Sequence, residues 1–214
     1  MSGPKTDYRR LMDDEIARVR GIGREAGTDR PPSLLLHSCC GPCSTAVITE
    51  LAPDFRLTVF YYNPNIDTAG EYARRAAEQR RAISLLAVPH PVEYLDEGHL
   101  PGDFLPEAEP LASEPEGGAR CSVCFRIRLE RTAVRARELG FDWFCSTLTV
   151  SPHKDAPRIN AIGTAVAARV GVRWLPSDFK KRDGYGRSIA LSREFGLYRQ
   201  DYCGCLWSRE ARPE

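Results

Sequence analysis

Short apolar runs alternate with stretches of helical periodicity along most of the chain. SLLLH at 33–37 predicts a buried strand, and TAVITEL at 45–51 continues it as a helix after a Gly- and Pro-containing turn. LTVFYYNPNI predicts a second strand closed by the turn Asn63-Pro64-Asn65. Residues 69–86 predict a helix with Tyr72, Ala76, Ile83 and Leu86 inward, and 87–95 a third strand. After Gly117-Gly118 a helix carries Phe125, Leu129, Thr132, Ala136 and Leu139 on one face, stopped by Gly140. FDWFCSTLTV predicts a strand. A helix restarted at Ser151-Pro152 has the core stripe Ile159, Ile162, Val166 and Val170. VRWLP predicts a last strand, and 177–199 a basic turn and helix. Strands alternating with helices argue an α/β fold, with a mostly parallel, Rossmann-like sheet covered by helices on both faces.

Two segments stand apart. Near the N-terminus Leu11, Met12, Ile16 and Val19 recur at helical spacing up to Arg30-Pro31-Pro32. This predicts a helical arm over 1–32 ahead of a single domain over 33–214. Residues 89–119 hold six prolines, eight acidic residues and no Lys or Arg, a charge of −8. A loop of that length is expected to be functional or mobile.

At 214 residues, a formal net charge of +1 excludes a strongly basic, histone-like binder but leaves room for local basic patches. The opening MSGPKTDYRR has no apolar stretch of a secretory signal, and nothing approaches a membrane span. No membrane partner and a cytoplasmic location are therefore expected. The eight cysteines change this picture. A disulfide framework belongs to small secreted domains, whereas clustered thiols in a reducing compartment bind metal or do redox chemistry.

The thiols come as Cys39-Cys40-x-x-Cys43, Cys121-x-x-Cys124, Cys145 and Cys203-x-Cys205. The first two groups each open a predicted helix, where a negative thiolate is favoured. Four thiolates complete a site for zinc or for an iron–sulfur cluster, and a fifth suggests a second, open metal position. Cys40-Gly-Pro-Cys43 also matches a thioredoxin tetrapeptide, so a thiol–disulfide oxidoreductase stands as an alternative, as does a zinc-stabilised RNA-binding module. Cys203-Gly-Cys205 permits a strained, readily reduced disulfide or a further ligand pair. Cys145, mid-strand, is expected in the core.

His37, just before the first thiols, is a candidate partner of the ligands or a proton donor. Lys154 and Asp155 fall after a strand's carboxyl end, where α/β folds contact substrate. Lys180, Lys181, Arg182, Arg187, Arg193 and Arg199 mix with Phe179, Tyr185 and Tyr198, for a net +4 over 180–199, and Arg74, Arg75, Arg80 and Arg81 form another cluster. Such mixtures suit an RNA backbone with unstacked bases, or an ordinary solvated surface.

The segments HSCCGPCS, FYYNPNI, EPEGGARCSVCFRIRLERTA, STLTVSPHKD followed by Ile159-Asn160, LPSDFKKRDGYGRSIALS and LYRQDYCGC occur in this order over residues 33–207. Together they resemble the cobalamin-independent epoxyqueuosine reductases of the QueH type. The resemblance implies reduction of epoxyqueuosine to queuosine at the wobble base of tRNA, with electrons from an external donor. It also implies a [4Fe–4S] cluster with an additional iron beside it and no cobalamin. Carried over by position, Cys39, Cys40, Cys121 and Cys124 would bind the cluster. Cys43, where some members have Asp, would bind the second iron, and Cys203 and Cys205 would be a redox-active pair. His37 and Lys154 complete the candidate catalytic set. Two departures are Cys145-Ser146, where Thr-Thr is usual, and Asp155, where Asn is common.

Overall fold

The computed structural model describes residues 6–25 and 30–211. Its elements run α1 (Tyr8–Glu25), β1 (Ser33–His37), α2 (Gly41–Leu51), β2 (Arg56–Tyr61), α3 (Ala69–Leu85), β3 (Glu93–Asp96), α4 (Leu105–Ala108), α5 (Ala119–Glu138), β4 (Trp143–Ser146), α6 (Ala156–Val170), β5 (Arg173–Trp174), α7 (Gly184–Glu194) and α8 (Leu206–Glu210). The five strands form one parallel sheet in the order β3-β2-β1-β4-β5.

Strand alternation splits the core in two. Leu34, Leu36, Leu57, Val59, Trp143 and Cys145 face one way and bury against Met12 and Ile16 of α1 and Val47, Ile48 and Leu51 of α2. Leu35, Phe60 and Phe144 face the other way, under Leu129, Ala133 and Ala136 of α5 and Ile159 and Val166 of α6. Both faces of the sheet are therefore covered, as a parallel sheet requires. Gly163 of α6 rides on Trp174 so closely that a Cβ there would lie 2.4 Å from the indole. Gly163→Ala is expected to cost about 1–3 kcal/mol by overpacking, read as a lower urea midpoint at unchanged slope.

Several expectations change in detail. Leu11 and Leu139 lie on solvent-facing sides of their helices, 41% and 50% exposed. α1 ends at Glu25, and residues 26–29, toward Pro31-Pro32, lie outside the described residues. The third strand is confined to 93–96 and the fourth to 143–146; the latter passes into a 3-10 turn over 147–150. The following helix starts at Ala156, not at Ser151-Pro152, because the Asp155 carboxylate accepts the Arg158 N–H as its N-cap. The acidic stretch 89–119 carries β3, α4 and two 3-10 turns. Its charge is met by basic helices: Glu97 pairs with Arg131 and Arg135 of α5, and Glu107 with Arg126.

The order 3-2-1-4-5 reverses the direction of winding between β1 and β4. Loops leaving the carboxyl ends of these two strands diverge, and the crevice between them is where open α/β sheets bind ligands. The thiol loop 38–43 leaves β1 there, and the segment 147–155 leaves β4.

Candidate metal and substrate site

β1 aims the first thiols. Ser38 donates its N–H to the Phe60 carbonyl, and Asn63 Nδ2 donates to the Ser38 carbonyl at 2.9 Å. Buried Gln79 of α3 accepts from Ser38 Oγ at 2.6 Å and donates to Ser44 Oγ at 2.8 Å. Gly41 lets α3 approach; a Cβ at this position would lie 2.7 Å from the Glu78 carbonyl oxygen. Cys40 is the extended N-cap of α2, and Cys43 stands in its first turn. Together these contacts bring the Sγ atoms of Cys39, Cys40 and Cys43 within 4.8 Å of one another, an arrangement that can hold a metal ion. Cys39 also receives help from the turn that follows β4: its N–H donates to Thr147 Oγ1 at 3.3 Å.

The three thiols share their protons. Hydrogen bonds from Cys40 and Cys43 hold the Cys39 thiol well below its ordinary pKa despite burial. In return the hydrogen bond to Cys39 pushes Cys40 up to about 12, and Cys43 is raised for the same cause. One thiolate is comfortable here, but three together need a cation. A thioredoxin-like nucleophile must be exposed and easily ionised. Cys40 is 1% exposed and raised, so the tetrapeptide match does not carry that chemistry.

Cys121 and Cys124 lie on the first turns of α5, with Gly118 as N-cap. The Gly117 N–H donates to Cys121 Sγ at 3.2 Å. Both thiols line a cavity of about 100 Å³ together with Lys154, Arg158, Cys203 and Cys205. Three separate stretches of chain thus converge on one pocket. Lys154 Nζ stands 3.3 Å from Cys203 Sγ. Burial works against its ammonium, but the Cys203 and Cys39 sulfurs outweigh that, and its pKa is raised.

Cys203 and Cys205, like the other six cysteines, are free thiols in this structure. Gly204 between them has φ +122, a region that favours glycine. Its carbonyl accepts the Asp67 N–H at 2.9 Å, while Arg75 donates to the Cys203 carbonyl at 3.2 Å. Arg75, read as part of a surface basic cluster, is in fact buried and paired with Glu71. Much of the remaining basic stretch is also engaged: Lys180 pairs with Asp178, Arg182 with Asp13 and Arg187 with Glu50. Phe179 is buried in the core and offers no stacking face. Cys145 is buried, as expected of a core thiol.

His37 falls on the α5 side of the sheet and is fully buried. Its Nδ1 meets Ser146 Oγ at 2.9 Å, and its Nε2 takes the Arg128 Nε–H at 3.2 Å. Burial first, then the Arg128 charge, push the imidazole pKa down to about 3. The ring is neutral at neutral pH and meets Arg128, not the pocket. The unfolded chain would bind a proton near pH 6.5, and the folded chain would not. Metal-free protein should therefore lose stability as pH falls from 6.5 toward 3, by about 1.4 kcal/mol per pH unit for this one group. Urea titrations at several pH values check this; in His37→Gln that contribution to the slope disappears.

Four residues that pattern reading passed over hold the site: Asn63, Gln79, Arg128 and Thr147. For Gln79 and Arg128 the available signal was a polar or charged side chain at a core position of a helix; Asn63 and Thr147, outside the α-helices, offered none. Gln79 lies three residues from the inward Ala76, and Arg128 lies one turn from both Cys124 and Thr132.

A family profile described as epoxyqueuosine reductase QueH matches residues 34–211 of the chain. The chain is 43% identical over 206 residues to a Streptococcus pyogenes protein of that name, covering 95% of this chain and 78% of the relative. It is 41% identical to the Staphylococcus epidermidis protein of the same name, covering 97% and 87%. The Thermotoga maritima protein so named is 33% identical, covering 85% and 93%.

Proposed function

Because the chain belongs to the epoxyqueuosine reductase QueH family, a family of oxidoreductases, we propose that it reduces epoxyqueuosine to queuosine at the wobble position of tRNA. The reaction takes two electrons and two protons. Both carbon–oxygen bonds of the epoxide break, the oxygen leaves as water and a carbon–carbon double bond forms. The observation that carries the reading is the grouping of the Cys39, Cys40 and Cys43 sulfurs, together with a pocket lined by Cys121, Cys124, Cys203 and Cys205 and two cations, Arg128 and Lys154, whose charges bear on both sets.

The donor set fits an iron–sulfur site. Thiolates are soft ligands suited to iron–sulfur clusters and zinc, and three of them are already grouped. The charged side chains that bear on them, Arg128 and Lys154, are both cations, which suits a site of net negative sulfur. Cys39, Cys40, Cys121 and Cys124 would hold a [4Fe–4S] cluster and Cys43 an additional iron, without cobalamin. Bound there, these groups would supply single electrons and a Lewis acid for the epoxide oxygen.

The chain's own residues do the rest. Lys154, protonated beside Cys203 Sγ, holds a proton at the pocket wall and can pass it on as the ring opens. Phe104 and Phe125 line the pocket and exclude water. Arg158, held by the Gly117 carbonyl at 2.5 Å and paired with Asp155 at 3.7 Å, joins Arg120 and Lys154 at a pocket whose cations outnumber the carboxylates Glu116 and Asp155 by one, a balance suited to a nucleic acid backbone. Cys203 and Cys205, free thiols here, would form a redox pair: the dithiol gives up two electrons and two protons as a disulfide closes, and an external donor reduces that disulfide back to the dithiol.

The test is anaerobic turnover of tRNA bearing epoxyqueuosine, with mass spectrometry of the released nucleoside and iron and sulfide assays on the same preparation. A product lighter by one oxygen atom, from brown protein, is expected. Colourless protein with stoichiometric zinc and no turnover would sink the reading. A Cys203→Ser/Cys205→Ser double variant should keep turnover with a chemical reductant and lose it with the physiological one.

A further inference from the structure

Arg128 is buried to 2% exposure, one turn beyond Cys124 on the sheet-facing side of α5. Each edge of its guanidinium is engaged. Nε donates to His37 Nε2 at 3.2 Å, Nη2 donates to Asn63 Oδ1 at 2.5 Å, and Nη1 lies 3.8 Å from Cys124 Sγ. The first two partners are neutral. Among the described residues no carboxylate stands within ion-pair range of it, whereas Arg75, as deeply buried, is paired with Glu71, and Arg120, 4% exposed, donates its Nη1 to the Leu111 and Ala112 carbonyls. A buried cation without an anion is costly. The groups placed to neutralise Arg128 once they ionise are sulfurs: Cys124 at 3.8 Å, whose thiol burial pushes up to about 11 against the pull of Arg128, with Cys39 and Cys203 within electrostatic reach.

We propose that Arg128 is a positioning residue, the fixed counter-cation of the sulfur site. His37 and Asn63 anchor it without spending its charge, which is left to favour the thiolates of Cys124 and Cys39 and to raise the reduction potential of the iron–sulfur group they hold. The second part rests on the proposed metal site; the first part does not.

The physics fixes the sign. Each electron added makes the sulfur site more negative, so a cation held at constant distance stabilises the reduced form more than the oxidised one. Low local polarity strengthens that difference. Arginine suits the task because its charge does not titrate and its planar fork can serve three partners at once, which a lysine ammonium on a flexible stem does not reproduce. The neutral anchors are the telling feature: a carboxylate in place of Asn63 would cancel the field that reaches the sulfurs.

The experiment compares wild type with Arg128→Met, Arg128→Lys and Asn63→Asp, all prepared anaerobically. Arg169→Met is the control; Arg169 pairs with Glu130 at the surface. Iron and sulfide are counted, and the midpoint potential is measured by redox titration of the visible and electron paramagnetic resonance signals. Arg128→Met is expected to keep iron but lower the equilibrium constant for reduction at least tenfold, about 59 mV for a one-electron couple. Asn63→Asp, nearly isosteric, should shift it in the same direction, and Arg128→Lys should recover at least half of the loss. Unchanged potentials in Arg128→Met and Asn63→Asp would overturn the proposal.

A second measurement covers variants, or a wild type, that hold no iron. In iron-free protein at fixed pH, alkylation of Cys124 by iodoacetamide, mapped by mass spectrometry, should be slower in Arg128→Met than in wild type. Simple loosening of the pocket would make it faster. Equal or faster labelling overturns the role of Arg128. Wild type lacking iron and sulfide would sink the metal reading, and the labelling rates would still decide the role of Arg128.

Discussion

On the proposed iron–sulfur reading, Cys40→Ser is expected to give a folded protein that neither binds iron nor reduces epoxyqueuosine. Cys40 is buried at the head of α2, with its sulfur 3.9 Å from that of Cys39. Serine keeps the size and the N-cap position, so the backbone has little reason to move. What changes is the donor: a hydroxyl stays protonated where a thiolate would bind, and it is a poor ligand for soft-ligand sites. The loss in metal affinity should exceed the roughly 10–100-fold that removal of an outer partner of a metal ligand costs. Cys145→Ser is the matched comparison, a buried thiol outside the site. It should retain full iron content. The measurement is iron and sulfide per chain beside anaerobic turnover. Normal iron loading in Cys40→Ser would remove Cys40 from the ligand set.

The second large effect needs no change of sulfur at all. Gly41→Ala should both destabilise the fold and empty the site, although all eight cysteines remain. A methyl group at 41 would stand 2.7 Å from the Glu78 carbonyl oxygen and 3.2 Å from the Gln79 nitrogen. These are backbone atoms in the middle of α3, and they cannot rotate out of the way. Relief requires α2 and α3 to part. Overpacking of this kind costs about 1–3 kcal/mol. At this chain size each kcal/mol moves the melting temperature by about 2–4 °C.

The separation also has a chemical consequence. Gln79 is the residue that ties Ser38 and Ser44 on either side of the thiols. If α3 withdraws, that clamp opens, and Cys39, Cys40 and Cys43 lose their mutual spacing. Thermal unfolding and iron content should therefore fall together in Gly41→Ala. In Gly163→Ala, whose clash is with Trp174, only stability should fall.

The two outcomes separate donor chemistry from placement, and the sequence carried these two unequally. The alternation of apolar runs with helical stripes was enough for a parallel α/β sheet, because a strand buried on both faces reads as a continuous apolar run such as SLLLH. The spacing of the cysteines was enough to propose metal chemistry, since ligand type and helix-opening position are local properties. Local patterns failed where a residue's environment comes from elsewhere in the chain. Phe179 and Arg75 look like surface RNA contacts until the core closes over them. The acidic stretch 89–119 looks unattached until α5 presents Arg126, Arg131 and Arg135 to it. Ser151-Pro152 looks like a helix start, but Asp155 caps it instead.

Sequence alone therefore determined the class of fold and, through long shared motifs, the family, and it supplied the candidate donor atoms. Only the tertiary structure decided which of those atoms meet. It put the β1 and β4 loops at one switch point, set the C-terminal thiols over the α5 thiols and buried Arg128 against neutral partners. The physical reason is range. Periodicity and spacing are fixed by neighbours a few positions away, while the field and the packing at the sulfurs come from residues as far apart in sequence as Asn63, Arg128 and Cys203.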